Sequence, residues 1–397
     1  MPTISNKGNL MPESPIRKLV PYAEMAKNKG TKVFHLNIGQ PDIETPRAAI
    51  DAVKNSDIRV LAYSKSEGNL ELRSKICEYY DKFNIKINET DVIVTSGASE
   101  ALLFTIGSIM DPDDEIIIPE PFYANYSGFS VANGVNIVPI YSSLENNFAL
   151  PKIEEFENLI SSKTKAILIC NPNNPTGYVY SKDEIKRLIK IAVKHDLFII
   201  ADEVYREFTY EQTVHTSIME FEEVSQNSIV VDSVSKRYSM CGARIGCIIS
   251  KNKQFINTAM KFAQARLSPP TLAQIASTAA MDTGEEYFKS IIDEYNNRRL
   301  TLINGLKKIP LVKVSEPKGA FYCVVELPVK NSEDFAKWLL EEYSFNNQTI
   351  MIAPAGGFYS TPNTGTNQVR IAYVLKKSDL ETCITILKNG LKEYLKR

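Results

Sequence analysis

The chain has 397 residues, which is too long for one small core and suits two domains, or one large α/β domain with an appendage. Apolar residues make up 44% of it and charged residues 23%, as in an ordinary globular protein. The formal net charge is −1 and no long run carries one sign, so the basic surface that nucleic acid or a membrane requires is not expected.

The first residues and the cysteines predict a cytoplasmic protein without a metal centre. The opening stretch "MPTISNKGNLMPESPIRK" has no apolar signal core, and no segment reaches the roughly 20 apolar residues of a membrane span. Three histidines, His35, His195 and His215, are too few for a polyhistidine site. The cysteines lack CxxC spacing, which is typical of reduced, buried thiols: Cys77, Cys170, Cys241, Cys247, Cys323 and Cys383. We therefore expect the chemistry to depend on a borrowed reactive group.

Strand-like and helix-like segments alternate from about residue 90 to residue 250, which predicts βαβ units on a mostly parallel sheet between helices. The segment "GASEALLFTIGSIM" is apolar nearly all round and predicts a buried helix, and Ser181 and Glu184 form a capping box before an amphipathic helix. The predicted strands are short and apolar: "DVIVTS" (91–96), "EIIIPE" (115–120), "KAILIC" (165–170), "FIIAD" (198–202) and "SIVVDS" (228–233).

A different pattern begins after about residue 295 and predicts a smaller α+β domain. The segments "AFYCVVEL", "TIMIAP" and "QVRIAYV" read as strands between helical stretches, and Ser378 with Glu381 predicts the cap of a last helix. We expect residues 1–45 to form an arm that packs with this domain, residues 46–295 to form the large domain and residues 296–397 the small one.

Ligands of open α/β sheets bind beyond the carboxyl ends of the strands, so the residues at those ends are candidate site residues. Gly97 and Ala98 lie where a strand turns into a helix and would expose backbone N–H groups to a phosphate; the alternative is an ordinary turn with Ser99 as N-cap. The loop "CNPNNPTG" (170–177) is either a rigid turn or a source of asparagine side chains. Asp202 ends a strand and needs a cation or a donor, unless it is a helix N-cap.

Lys236 completes this series in "SVSKRYSMCGARIG" (233–246). Most lysines are solvated surface residues, but an enclosed strand end would favour its neutral, nucleophilic amine. Ser233 and Ser235 offer hydroxyl donors, and Arg244 offers a planar fork suited to phosphate. An amine, a phosphate cradle and a carboxylate together predict pyridoxal 5'-phosphate, whose aldehyde condenses with lysine and whose pyridine nitrogen requires a carboxylate to keep its proton.

At this point the sequence resembles the class I, fold-type I pyridoxal-phosphate aminotransferases, of the aspartate aminotransferase kind, over nearly its whole length. Each motif alone is weak evidence for the family, but all eight motifs would rarely match in the same order by chance. The motifs, in chain order, are "NIGQPD" (37–42), "AYSKSEG" (62–68), "TSGASEAL" (95–102), "PEPFYANY" (119–126), "NPNNPTG", "ADEVY", "SVSKRYSMCGARIG" and "VRIAY" (369–373).

The resemblance implies a role for each matching residue. Lys236 would hold the cofactor in imine linkage and move the substrate proton, and Asp202 would pair with the ring nitrogen. Tyr205 and Asn174 would hydrogen-bond the phenolic oxygen and so lower the pKa of the imine. Tyr123 would stack on the ring, and Arg370, otherwise a surface ion-pair residue, would grip the substrate α-carboxylate with the Gly39 backbone. The implied phosphate cradle is Gly97, Ala98, Ser99, Ser233, Ser235 and Arg244, with Tyr63 from the other subunit of a homodimer.

The substrate is harder to predict, because dicarboxylic substrates require a second cation. A related branch carries a lysine in the cradle where this chain has Ser99. Arg266 in "QARLSPP" is the first candidate for that cation and Arg17 in "SPIRKL" the second; the alternatives are a salt bridge and a solvated arm residue. We expect exchange between aspartate and 2-oxoglutarate by a ping-pong mechanism. Aromatic or neutral amino acids, including alanine and kynurenine, remain open.

Other functions of the same scaffold differ in their products. A β-elimination such as that of a C–S lyase, a decarboxylation or a racemisation would use the same cofactor site. A transcription regulator with an aminotransferase-like sensor would need a DNA-binding module, for which the 36 residues before "NIGQPD" leave no room. A catalytically dead scaffold is disfavoured because every matched catalytic position is retained.

Overall fold

The structure is a computed structural model that describes residues 2–397. Its helices are α1 (Asn6–Leu10), α2 (Val20–Asn28), α3 (Arg47–Lys54), α4 (Leu70–Asp81), α5 (Ala98–Ile109), α6 (Asn125–Asn133), α7 (Ile153–Leu159), α8 (Lys182–His195), α9 (Val234–Arg237), α10 (Lys253–Arg266), α11 (Thr271–Ala280), α12 (Glu285–Leu306), α13 (Ser332–Glu341) and α14 (Lys377–Tyr394). Its strands are β1 (Lys32–His35), β2 (Val92–Thr95), β3 (Glu115–Glu120), β4 (Asn136–Tyr141), β5 (Thr164–Cys170), β6 (Phe198–Asp202), β7 (Ser228–Ser233), β8 (Gly246–Ile249), β9 (Lys313–Val314), β10 (Tyr322–Glu326), β11 (Gln348–Met351), β12 (Ala353–Pro354) and β13 (Gln368–Ala372).

A seven-stranded sheet with the order β2-β8-β7-β6-β5-β3-β4 forms the centre of the molecule. All its strand pairs are parallel except those of β8, which runs antiparallel to β2 and β7. Alternate residues of each strand enter opposite apolar layers: Ile200 packs into one, and Ile199 and Ala201 into the other. Helices cover both faces, so β5, β6 and β7 are buried except for Lys165 and the half-buried Phe198, as is typical of parallel strands.

The register of this sheet brings the candidate strand ends together. Cys170 at the end of β5 pairs with Asp202 at the end of β6, and Asp202 pairs in turn with Val231 near the end of β7. Gly246, the first residue of β8, lies opposite both Thr95 and Ser233. The loops that follow β2, β5, β6 and β7 therefore open at one edge of the sheet.

Two smaller sheets lie outside the central one. The antiparallel strands β12-β13-β10-β9 form the first, and β1 and β11 pair in parallel in the second, with His35 opposite Met351. Lys18 also forms an ion pair with Glu333, the second residue of α13. The chain from Lys18 to His35 is thus attached to the chain after Ser332, which positions "NIGQPD" over the carboxyl edge of the central sheet.

Most predicted elements are present, and the predicted α/β class with a mostly parallel sheet is confirmed. Two details were wrong. Ser378 and Glu381 do not cap α14: the helix begins at Lys377 and its N-cap residue, Lys376, makes no side-chain cap bond. The α5 helix is half-buried and not buried all round, because it packs on the sheet with one side only. No helix in residues 2–397 combines the length and apolarity of a membrane span.

Leu188 of α8 is fully buried, whereas Val193 on the same helix is 48% exposed. We expect Leu188→Ala to lower the free energy of unfolding by about 2–5 kcal/mol, because the cavity that it leaves adds to the lost apolar burial. Val193→Ala is the matched control and should change it by less than about 0.5 kcal/mol. Urea denaturation followed by circular dichroism measures both; equal effects would contradict the described packing of α8.

Candidate active site

A cavity of about 710 Å³ lies at the carboxyl edge of the central sheet, between that sheet and the segments around Gly39 and Arg370. Its volume suits a small ligand together with a cofactor. Most of the residues predicted from the sequence line it: Arg17, Gly39, Ala98, Ser99, Tyr123, Asn174, Asp202, Tyr205, Ser233, Ser235, Lys236, Arg244 and Arg370.

Lys236 lies on α9, a four-residue helix directly after β7. Its Nζ donates to the backbone oxygen of Gly39 at 2.9 Å and lies 3.6 Å from the Cys241 Sγ. The next residue, Arg237, is buried and donates to Asp232 at 2.6 Å and to Glu207 at 2.9 Å. These paired charges fix α9 from behind, so the lysine amine points into the cavity from a rigid support.

Asp202 is the last residue of β6 and is 4% exposed. Its Oδ2 accepts from the Tyr126 hydroxyl at 2.7 Å, and its Oδ1 accepts from the backbone N–H of Val204 at 3.3 Å. Burial raises the pKa of Asp202 to about 6, although the Tyr126 hydrogen bond opposes this. A buried carboxylate that faces the cavity without an ion-pair partner among the described residues favours a cationic ligand group.

The N-terminus of α5 and Arg244 form an anion site. Gly97 is the N-cap of α5 at φ +80°, a conformation that favours glycine. A Cβ on Gly97 would lie 2.3 Å from the Arg244 Nη2, so the guanidinium lies directly on this turn. Ser233 and Ser235 join it, with their hydroxyl oxygens 2.8 Å apart. Free backbone N–H groups, a guanidinium and two hydroxyls suit a phosphate.

Arg370 of β13 is 1% exposed and has no carboxylate partner among the described residues. One Nη donates to the Asn174 Oδ1 at 3.0 Å and the other to the backbone oxygen of Asn37, while its Nε has no partner. The guanidinium lies between the rings of Tyr322 and Phe358, 4.5 and 4.9 Å from their centroids. Burial lowers the pKa of Arg370, so an anion that entered the cavity would relieve an uncompensated charge.

Two further tyrosines complete the predicted set. The Tyr205 hydroxyl is buried and lies 2.9 Å from the Tyr322 hydroxyl, and burial raises the pKa of Tyr205 well above its usual range. Tyr123 accepts from Asn125 at 2.8 Å and packs edge-on against Tyr126. Both phenols are therefore protonated at neutral pH.

Two predicted residues lie away from this cavity. Arg266 ends α10 and is bound to Glu100 at 2.5 Å and to the backbone oxygens of Ser66 and Val94, so its expected role as the cation of the substrate pocket is not supported. A carboxylate and two backbone carbonyls thus engage both Nη atoms of this guanidinium within the chain, and its Nε has no partner. Tyr63 is 79% exposed and does not line the cavity of its own chain.

The sequence reasoning missed several residues that do line the cavity or contact its groups. Gln40, Cys241 and Tyr126 belong to the motifs "NIGQPD", "SVSKRYSMCGARIG" and "PEPFYANY", respectively. Membership of these motifs is the sequence signal that could have identified them. Cys241 and Cys77 are half-buried and not buried as expected, and Cys241 lines the cavity. Tyr322 was interpreted only as part of a strand, "AFYCVVEL", and no local signal distinguishes it.

Pyridoxal phosphate fits these groups. Lys236 offers the amine for its aldehyde, and the buried carboxylate of Asp202 suits its ring nitrogen. The α5 N-terminus with Arg244 suits its phosphate, and the buried Arg370 leaves a place for the carboxylate of an amino acid.

Comparisons with known proteins agree with this site. The sequence model of the family described as "Aminotransferase class I and II" matches residues 31–387. The aspartate aminotransferase of Pyrococcus horikoshii is 33% identical over 98% of this chain and 97% of its own. Two solved structures each match 98% of this chain and 100% of theirs: aspartate aminotransferase from Thermus thermophilus with maleate (TM-score 0.89, 26% identity) and alanine aminotransferase from Pyrococcus furiosus (TM-score 0.90, 30% identity). The chain belongs to the class I and II aminotransferases, which depend on pyridoxal phosphate.

Proposed function

We propose that this aminotransferase exchanges the amino group of L-aspartate with 2-oxoglutarate by a ping-pong mechanism. The observation that carries the proposal is the guanidinium of Arg370, which is buried without a carboxylate partner in the same cavity as Lys236 and Asp202. A buried cation without a carboxylate partner favours binding of the α-carboxylate of an amino acid or a 2-oxo acid. The P. horikoshii relative, whose printed name is aspartate aminotransferase, supports the choice of substrate.

Each side chain of the cavity has a defined task in this proposal. Pyridoxal phosphate, when bound, supplies a ring that withdraws electrons from the substrate Cα. Lys236 Nζ would hold the cofactor until the substrate amine replaces it, and the freed Nζ would then take the proton from Cα. Asp202 would keep the ring nitrogen protonated. Asn174 Oδ1 accepts from Arg370, which leaves the Asn174 Nδ2 to donate to the phenolic oxygen beside Tyr205. Tyr123 stacks on the ring, and the Gly39 backbone closes on the substrate carboxylate. The phosphate is held by Gly97, Ala98, Ser99, Ser233, Ser235 and Arg244.

Lys236→Ala tests the central assignment. We expect the variant to lose cofactor that borohydride can fix to the protein and to lose turnover by at least about 10²-fold, because the amine that transfers the proton is gone. Absorbance spectra and a coupled assay with aspartate and 2-oxoglutarate measure the two effects. Lys251→Ala, which removes a surface ion pair with Glu222, is the matched control. Normal transamination by Lys236→Ala would refute the assignment.

Arg17, and not Arg266, is the side chain that we propose for the distal carboxylate of a dicarboxylic substrate. Arg17 lines the cavity and makes no side-chain hydrogen bond or ion pair among the described residues. Burial raises the pKa of Tyr123 to about 12, and the positive charge of Arg17 opposes this rise. Arg17 therefore lies close to Tyr123, on the side of the cavity assigned to the cofactor ring. Arg17 is exposed, so its guanidinium is free to pair with a second carboxylate at the cavity.

A second candidate function is transamination of aromatic or neutral amino acids, including alanine and kynurenine. Ile16, Ile38, Tyr123 and Tyr322 also line the cavity, and they offer apolar surface to an uncharged side chain. The P. furiosus structure named alanine aminotransferase supports this alternative. A C–S β-lyase activity on the same scaffold would release pyruvate and ammonia without forming glutamate.

Arg17→Ala separates these substrate classes in a half-reaction screen of all amino acids. We expect kcat/KM for aspartate to fall by about 10–100-fold, as for a lost hydrogen bond between charged groups, while that for alanine stays within about twofold. Arg47→Ala, which loses only an exposed pair with Asp51, is the matched control. Equal losses for aspartate and alanine would remove the role of Arg17 in specificity.

We further propose that two copies of the chain form a homodimer with the active sites at the interface. Val60, Leu61 and Tyr63 are 77%, 63% and 79% exposed in one continuous segment, an unusual amount of apolar surface for a free loop. A second copy that covers this segment would bring its own Tyr63 toward the phosphate site, as the family resemblance implies.

Val60→Asp tests the dimer against a matched control, Val214→Asp. The two valines are equally exposed, at 77% and 78%, but Val214 lies far from Tyr63 in the sequence, in the loop before residue 218. We expect Val60→Asp to shift the sedimenting species from dimer to monomer and to weaken cofactor affinity, because burial of a carboxylate in an interface is costly. A wild-type chain that is monomeric and active at micromolar concentration would contradict the proposal.

We also propose the division of the chain into an arm (1–45), a large domain (46–295) and a small domain (296–397), and a cytoplasmic location. The pairing of β1 with β11 supports the association of the arm with the last third of the chain. Six free thiols suit a reducing compartment.

A further inference from the structure

Tyr322 occupies a position between the two ends of the cavity. It is the first residue of β10, is 2% exposed and lines the cavity. Its hydroxyl lies 2.9 Å from the Tyr205 hydroxyl and 3.5 Å from the backbone oxygen of Gly39, and its ring lies under the Arg370 guanidinium at 4.5 Å. A Cβ on Gly39 would lie 1.7 Å from the Tyr322 oxygen, so only glycine admits this contact.

These contacts connect the groups that face the substrate with the groups that face the cofactor. Arg370 and Gly39 are assigned to the substrate carboxylate, and Tyr205 to the phenolic oxygen of the cofactor. Asn174 already joins the two sides through its bond to Arg370. Tyr322 forms a second connection, which runs from the guanidinium through its ring to its hydroxyl and on to Tyr205.

The hydroxyl of Tyr322 has one proton and two acceptors within reach, which decides the direction of this connection. The Gly39 oxygen is the more distant acceptor, at 3.5 Å. The Tyr322 hydroxyl is therefore better placed to donate its hydrogen bond to the oxygen of Tyr205, at 2.9 Å. Tyr205 then keeps its own proton for an acceptor in the cavity.

We propose that Tyr322 is a positioning residue that couples the capture of the substrate carboxylate at Arg370 to the hydrogen bond that Tyr205 donates in the cavity. The cation on the face of the Tyr322 ring makes its hydroxyl a stronger donor, and hydrogen bonds in a chain polarise one another. A carboxylate that neutralises Arg370 weakens this polarisation, so Tyr205 becomes a weaker donor when substrate arrives. The inference depends on the proposed function for the identity of the ligands.

Tyr322→Phe tests the coupling, because it keeps the ring under Arg370 and removes only the hydroxyl. The measurement is a pH titration of the visible absorbance of the enzyme loaded with pyridoxal phosphate, without and with succinate as an unreactive dicarboxylate. We expect the substitution to raise the pKa of the chromophore by a few tenths, because polarisation changes a hydrogen bond by about 10–30% and a weaker Tyr205 donor stabilises the unprotonated imine less. In the wild type succinate should raise this pKa, and in Tyr322→Phe the rise should be smaller.

Two controls separate coupling from a general structural effect. Tyr373→Phe removes another fully buried hydroxyl, which lies outside the cavity and contacts the backbone oxygens of Gly319 and Ala320 at 3.5 and 3.3 Å. In this variant the pKa of the chromophore should equal the wild-type value both without and with succinate. In a Tyr205→Phe background, Tyr322→Phe should add no further change, because its effect passes through Tyr205. Tyr322→Leu, which also removes the ring, should raise KM for the amino acid more than Tyr322→Phe does.

The outcomes distinguish this inference from the proposed function. If Tyr322→Phe leaves the chromophore pKa and its response to succinate unchanged, or if its effect adds in full to that of Tyr205→Phe, the coupling is refuted while the aminotransferase assignment stands. The assignment of the site itself fails if the wild type forms no visible band with pyridoxal phosphate. It also fails if the band persists in Lys236→Ala.

Discussion

The in-register parallel pairing of β5, β6 and β7 is the constraint on which the site depends. Because Cys170, Asp202 and Val231 are neighbours across these strands, the loops that follow them leave the sheet at one edge and face one space. A slip of one residue would turn Asp202 into the opposite apolar layer and leave a carboxylate among isoleucines. The many buried β-branched residues of these strands specify the register, and the catalytic groups depend on it.

The site also carries charges that the folded chain leaves without opposite partners. Asp202 and Arg370 are both nearly inaccessible to water, and neither has an ion-pair partner among the described residues. In contrast, the buried Arg237 behind the cavity has two carboxylates, Asp232 and Glu207. Paired charges thus support the site, and unpaired ones face the cavity. In the proposed function the cofactor and the substrate would supply the missing charges, so that binding would relieve a cost that folding incurred.

The sequence predicted the elements whose signals are local. Apolar runs located β5, β6 and β7, and the Ser181–Glu184 capping box located the start of α8. Prediction from the sequence failed where the role of a side chain depends on contacts with residues distant in the chain. Arg266 and Arg17 are both arginines beside turns, but only the fold shows that the first is bound by Glu100 and two backbone oxygens. Tyr322 could not be identified either, because its importance comes from Tyr205, Gly39 and Arg370, which lie far from it in the chain.

The parallel pair of β1 and β11 affects when the active enzyme can appear during synthesis. β1 precedes the Gly39 segment, and its hydrogen-bonding partner is made only when the last quarter of the chain leaves the ribosome. Until then the central sheet has its strands, but the Gly39 segment lacks the strand pairing that supports it. Lys236 and Asp202 are thus synthesised well before the strand that supports the Gly39 segment, so the cavity is completed late in synthesis.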